Sequence, residues 1–371
     1  MTARTILIAP DSFKGSLTSV EVARGLAAGW LTARPDDEIL LAPLADGGEG
    51  TIVAIEAAGG WTRKTARATD PLGRPVEAAW LRSANGSRAI VELAEASGLS
   101  RLRTDERDAR GATTYGTGEV IRAVVEDGCV DVTLGIGGSA TTDGAAGILR
   151  ALGGEVSADL RAVDLAGLDP RLAGVALRIA CDVTNPLLGP NGAAATYGPQ
   201  KGATPEDVAF LDARLAAYAE ALETATGRRE RDTPGAGAAG GTGFGLLCLR
   251  DRFRSLELVP GVEVVMDAAG FDEKLGRANL VLTGEGRIDA QTAYGKTALG
   301  VARRAKEAGV PCIAVGGGVT AEGFQALVGV NAIAVSVAER PQTLEEAMAD
   351  GIEPVQRAGE RIARLVGMMA G

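Results

Sequence analysis

The sequence predicts an α/β protein of two domains: a doubly wound parallel sheet assembled from both ends of the chain, and a mixed-sheet α/β domain inserted between them. Three observations lead there. Short, continuously apolar runs recur near both ends, at 4–9, 38–44, 279–283, 311–315 and 331–337, and runs of that kind are strands covered on both faces. Helical patterns at 17–33, 297–309 and 341–368 are interleaved with them, as crossover connections between parallel strands require. The segment 61–95 breaks the rhythm, because its runs 62–69, 75–82 and 88–94 are joined by the turn signals Asp70-Pro71-Leu72-Gly73 and Asn85-Gly86. That is an antiparallel meander.

Taken in order, Arg-Thr-Ile-Leu-Ile-Ala (4–9) and Glu-Ile-Leu-Leu-Ala-Pro-Leu (38–44) are the first two strands of the outer domain, with the helix 17–33 between them. The meander opens the inserted domain, and strands at 131–136 and 178–183 join it. The last three outer strands follow near 280, 312 and 332. The expected boundaries are 1–55 plus 276–371 for the outer domain and 56–275 for the insert. In the common 2-1-3-4-5 strand order, a ligand meets the switch point between the first and third strands, which places the loops after residues 9 and 283 at the site.

Composition limits the chemistry. With 371 residues and 46% hydrophobic side chains, the chain can bury a large core. It contains no histidine, which excludes a Ser-His-Asp triad, a Cys-His dyad, His-ligated metals and an imidazole base. Proton transfer falls to carboxylates, Lys, Tyr or water. The net charge of −10 argues against nucleic acid or an anionic membrane as partner. Cys129, Cys181, Cys248 and Cys312 form no Cys-x-x-Cys pair and read as reduced thiols. The N-terminus has no secretory apolar region, and no apolar run reaches the ~20 residues of a membrane span, so a soluble, cytoplasmic protein is expected. Lysines number only six, so that arginine supplies the other 32 of the 38 basic side chains. Lys14, Lys201 and Lys296 border glycines in polar loops, whereas Lys274 and Lys306 read as helix-surface charges.

The motifs lie at strand ends. Ala9-Pro10-Asp11-Ser12-Phe13-Lys14-Gly15-Ser16 sets a carboxylate and an ammonium where a following helix leaves free backbone N–H groups for an anion. Ala45-Asp46-Gly47-Gly48-Glu49-Gly50-Thr51 spaces two carboxylates with glycines, a pattern suited to Mg²⁺, a hydroxyl or a ribose, or to a plain acidic turn. Gly135-Ile136-Gly137-Gly138-Ser139-Ala140-Thr141-Thr142-Asp143 is a glycine nest with hydroxyls, suited to phosphate, with Asp143 as a metal or hydroxyl partner. Its formal Gly-x-Gly-x-x-Ala match also admits a nucleotide-dependent oxidoreductase. Gly235-Ala236-Gly237-Ala238-Ala239-Gly240 follows no strand and reads as a mobile or substrate-hugging loop. Thr283 to Asp289 reads as a strand-end loop with Glu285, Arg287 and Asp289, ahead of Gly295-Lys296-Thr297, and Asp182 and Lys201 add one further acid and cation. Many acids, a few lysines and glycine nests are what phosphoryl transfer asks for.

These motifs, in this order, resemble the type 1 glycerate kinases. The similarity is carried by 9–16, 45–51, Thr-Tyr-Gly-Thr-Gly-Glu (114–119), 135–141, Cys-Asp-Val-Thr-Asn-Pro-Leu (181–187), Tyr-Gly-Pro-Gln-Lys-Gly-Ala (197–203), 234–241 and 283–289. The meander and the Arg-rich tail carry no motif of that family. The resemblance implies ATP-dependent phosphorylation of glycerate with Mg²⁺, in glyoxylate, tartronate-semialdehyde or sugar-acid breakdown, with the 2-position favoured. It also implies a flavodoxin-like domain split around a larger domain likened to restriction endonucleases. On the chemistry of the side chains, Lys14 and Lys296 are expected to neutralise γ-phosphate charge, and Asp182 or Asp46 to orient the acceptor hydroxyl. Asp11, Ser12, Glu49, Arg287 and Asp289 are expected to bind substrate, Arg287 forking onto a carboxylate. Gly137, Gly138, Ser139, Thr141 and Lys201 are expected at the nucleotide, and Asp143 and Glu285 at the metal. The expected partners are glycerate and ATP, meeting in an inter-domain cleft of a monomer or homodimer. A sugar-acid sensor without catalysis is the other alternative.

Overall fold

A computed structural model describes residues 3–290 and 297–369. Its strands are β1 (Thr5–Pro10), β2 (Glu38–Leu41), β3 (Trp61–Thr69), β4 (Pro75–Ser83), β5 (Arg88–Glu92), β6 (Asp131–Gly135), β7 (Glu155–Val156), β8 (Val163–Asp164), β9 (Ala176–Ala180), β10 (Ser255–Val259), β11 (Leu280–Ile288), β12 (Cys312–Val319) and β13 (Ala332–Ser336). The chain divides into two compact units. One comprises Met1–Asp46, Val53–Gly59 and Val265–Gly371, and the other Gly47–Ile52 and Gly60–Val264.

In the first unit five parallel strands lie in the order β13-β12-β11-β1-β2. Counted within this unit, that is the common 2-1-3-4-5 order. Ile6, Ile8, Leu282 and Val315 pack with Leu26 and Trp30 of the helix Ser19–Ala33 in one core. That helix starts at a capping box, in which Thr18 and Glu21 satisfy each other's backbone N–H groups. The helix Glu353–Met368 crosses it at backbone contact, since a Cβ on Gly29 would lie 1.8 Å from the carbonyl oxygen of Gln356.

Three details differ from the sequence expectation. The helix expected over 341–368 is two, Leu344–Ala349 and Glu353–Met368, with Gly351 at φ +61 between them. β11 runs on to Ile288 because Glu285 to Ile288 pair with Gly316 to Val319 of β12, so Glu285 and Arg287 stand on a strand and not in a loop. Lys274, expected at a helix surface, donates to the carbonyls of Leu41, Ala58 and Ala269 at 2.8–2.9 Å. An ammonium with three carbonyl acceptors ties the helix Phe271–Leu275 to the first unit.

The second unit holds a six-stranded sheet in the order β10-β9-β6-β5-β4-β3. β3, β4 and β5 form the antiparallel meander, and β5, β6, β9 and β10 are parallel. Asp70 makes the first turn by accepting from the N–H groups of Leu72 and Arg74, with Gly73 at φ +83. The edge strand β10 escapes sequence reading because Ser-Leu-Glu-Leu-Val is short and alternating. β9 ends at Ala180, so Asp182 lies beyond the strand expected at 178–183. The core gathers Trp80, Leu134, Ile179, Tyr218 and Phe244. All four cysteines are free thiols, and no helix among the described residues is long and apolar enough to cross a membrane.

Candidate active site

In the first unit the carboxyl ends of β1 and β11 present one cluster. Asp11 follows β1, where its N–H donates to the carbonyl of Gly284 at 2.8 Å. Its carboxylate accepts from the Thr297 hydroxyl at 2.7 Å and from the Ser12 N–H at 2.6 Å. Burial raises its pKa, against those two hydrogen bonds. Lys14 reaches back to Asp46 at 3.2 Å, with 78% of its side chain exposed. The Asp46 carboxylate raises the pKa of Lys14, keeping the ammonium charged. Glu285 is buried near the end of β11, and Arg287, 73% exposed, pairs with Asp289 at 3.3 Å. Gly286 keeps the approach to the first loop close, since a Cβ there would stand 3.2 Å from the Phe13 Cα. Thus Asp11, Ser12, Lys14, Asp46, Glu285, Arg287 and Asp289 all fall in one unit. Lys296 lies outside the described residues.

The second unit brings two glycine motifs into backbone contact. A Cβ on Gly135 would lie 2.5 Å from the carbonyl oxygen of Gly47, and one on Gly137 would lie 2.5 Å from the Cα of Gly48. Gly138 takes φ +71, a left-handed conformation that favours glycine. Glu49 is exposed beside it, its Cβ 3.9 Å from where a Cβ on Gly138 would stand. Asp182 is exposed and accepts from the Gly261 N–H at 2.8 Å.

Two expected ligands of this unit face inward. Lys201 is 1% exposed and donates to the Ser139 hydroxyl at 2.9 Å and the Thr141 carbonyl at 2.5 Å. Burial lowers its pKa to about 7, with Asp143 acting in the opposite sense. Asp143 is buried, and its carboxylate accepts from the N–H groups of Thr114, Ala145 and Gly147 and the hydroxyls of Thr113 and Thr114, at 2.9–3.3 Å. That is the bonding of a helix cap, since the helix Ala146–Ala151 starts there. Thr141 is fully buried, and its hydroxyl has no partner among the described residues. Gly235 to Gly240, expected to be a mobile or substrate-hugging loop, is largely buried. A Cβ on Gly240 would stand 1.9 Å from the Thr141 carbonyl oxygen, so these glycines serve close packing under the nest.

The sequence matches the glycerate kinase family over residues 6–367. This chain belongs to that family. It is 42% identical to the glycerate kinase of Halalkalibacterium halodurans, with 97% of each chain covered. It is 41% identical to the glycerate 2-kinase of Escherichia coli strain K12, over 96% of this chain and 97% of that one. A crystal structure from Salmonella typhimurium LT2, of a protein assigned by name only to glycerate kinase 2, superposes with a TM-score of 0.85. It covers 100% of both chains at 39% identity.

As a kinase family, this one implies ATP as co-substrate. Among the described residues no group of three or more His, Cys, Asp or Glu side chains could by itself hold a metal ion. Kinase Mg²⁺ sites generally use one or two carboxylates with substrate phosphates, and Asp11 and Glu285 match that sparse donor set. Sequence reasoning missed Thr113 and Thr114, which bind Asp143, and Glu92 at the end of β5. Glu92 is buried 3.8 Å from where a Cβ on Gly135 would stand. A lone acid closing the apolar run Arg-Ala-Ile-Val-Glu was the available signal.

Proposed function

We propose that this chain transfers the γ-phosphoryl group of ATP to a hydroxyl of D-glycerate, giving ADP and phosphoglycerate, with the 2-position as acceptor. Family membership carries the reaction class, and the relative named for the 2-position, 41% identical, supports the regiochemistry. The observation that carries the site is the Lys14–Asp46 pair, an exposed cation and an acid at the switch point of a doubly wound sheet.

In this reading Lys14 lies against the transferring phosphate, where a fixed ammonium opposes developing charge. Asp182, held by the Gly261 N–H, orients the acceptor hydroxyl and takes its proton as oxygen attacks phosphorus and the bond to the ADP oxygen breaks. Asp46 is the second candidate for that task. Arg287 forks onto the glycerate carboxylate, exchanging its pairing with Asp289, while Ser12 and Glu49 face the substrate hydroxyls. Gly137, Gly138 and the Ser139 segment cradle phosphate through backbone N–H groups, and Lys201 supports that nest from behind. Glu285 with Asp11 would hold Mg²⁺, which would supply charge neutralisation at the phosphates. Four free thiols fit a reducing cytoplasm.

ADP release from Mg-ATP, followed with and without D-glycerate, tests this. The expected result is release that depends on D-glycerate and is cut at least a hundredfold by Asp182→Asn, about the size of a lost general base. Saturable glycerate binding with no ADP formed would instead favour a sensor.

A further inference from the structure

We infer that Glu92 is a positioning residue, a buried carboxylate that clasps the junction of the two glycine motifs and so sets the geometry of 47–52. Its effect on turnover rests on the phosphoryl-transfer reading above, whereas its effect on folding does not. β5 brings Glu92 into register with Gly135 of β6, under the point where Gly135 and Gly137 meet Gly47 and Gly48. The carboxylate, 3% exposed, accepts from the Ile52 N–H at 2.6 Å and from the backbone N–H of Gly50. Both donors belong to the start of the helix Thr51–Ala58, where N–H groups lack partners within the helix. The segment so held carries Gly47, Gly48 and Glu49, the residues that abut the phosphate nest.

The ionised carboxyl is the stronger acceptor for both N–H groups. Protonation removes its charge, turns one oxygen into a donor and weakens the clasp. The titratable groups that face it are Glu49 of the same loop and Glu95 of the helix Ala94–Ser97. Both disfavour its charge, and with burial they raise its pKa to about 7. Activity that needs the clasp therefore rises as pH climbs through about 7. Stability runs the other way. A carboxyl whose folded pKa lies above its unfolded value of 4.5 contributes stability that is complete below 4.5 and is lost as pH rises through about 7. An acid with a merely structural role would not produce these opposed slopes.

The test measures kcat/KM for D-glycerate and the ligand-free melting temperature between about pH 5.5 and 9, for the wild type, Glu92→Gln and Glu92→Asp. The wild type is expected to lose activity on the acid side with an apparent pKa near 7. Glu92→Gln should lower the plateau by up to about a hundredfold, the scale of a misplaced site loop, and flatten the acid limb. Its melting temperature relative to wild type should rise with pH. Glu92→Asp should keep an acid limb, displaced. A Glu92→Gln enzyme with the wild-type plateau and limb, or a melting difference independent of pH, overturns the inference. If Glu92→Gln does not fold, the limb of Glu92→Asp decides: displaced supports the clasp, unmoved overturns it. A wild type that phosphorylates nothing contradicts the proposed function, while the melting comparison still judges Glu92.

Discussion

The Lys14 loop and the Lys201 turn each set a lysine beside a glycine, and only one of them offers its charge to solvent. Lys14 projects from the carboxyl end of β1, pairs with an exposed acid and stays charged. Lys201 ends a tight turn, Pro199–Lys201, and spends its ammonium on Ser139 and Thr141 beneath the glycine nest. The contrast separates two uses of a scarce residue. A cation that must meet a phosphate stays wet until the ligand arrives, and one that must shape a loop is buried with fixed acceptors. Asp46 and Asp143 repeat the contrast among the acids, one half-exposed and the other saturated by five donors.

The sharpest way to break this comparison is to disturb the buried floor. Gly240→Ala places a methyl 1.9 Å from a carbonyl oxygen at φ +66, so the variant should lose folded protein at 37 °C, seen as loss of the cooperative melt. Lys14→Met should lower kcat by roughly 10²–10³, the scale of one lost electrostatic contact to the reacting group. Its melting temperature should hold within about 1 °C, because an exposed ion pair contributes only about 0–1 kcal/mol. Asp143→Asn keeps the shape but orphans a donor, and should cost about 1–3 kcal/mol in denaturant unfolding. Lys201→Met should give the smallest effect, with a pH signature. A lysine whose folded pKa is about 7, below the usual 10.5, burdens the fold at neutral pH and is relieved as pH rises toward 10.5. The destabilisation by Lys201→Met should therefore be larger at pH 9.5 than at pH 7, and an equal loss at both would place the ammonium outside the buried setting described.

The parallel strands were legible because apolar runs buried on both faces leave a plain trace, whereas their order in the sheet came only from the arrangement common to five-stranded doubly wound domains. The direction of side chains was not. Nothing in Gly-Pro-Gln-Lys-Gly says that Lys201 turns inward, since its acceptors lie about sixty residues away in sequence. Asp143 and the glycines of 235–240 are ambiguous for the same reason. A polar, glycine-rich stretch serves a ligand or a close backbone crossing equally well, and only three-dimensional neighbours such as Thr114 and Thr141 distinguish the two. Glu92 was hidden by company, one acid ending an apolar strand.

Phosphoryl transfer to glycerate is judged most directly by product identity. Purified protein is incubated with Mg-ATP and D-glycerate, and 2-phosphoglycerate is separated from 3-phosphoglycerate. The expected products are 2-phosphoglycerate and ADP in equal amounts, and the absence of any phosphoglycerate from either enantiomer would contradict glycerate phosphorylation.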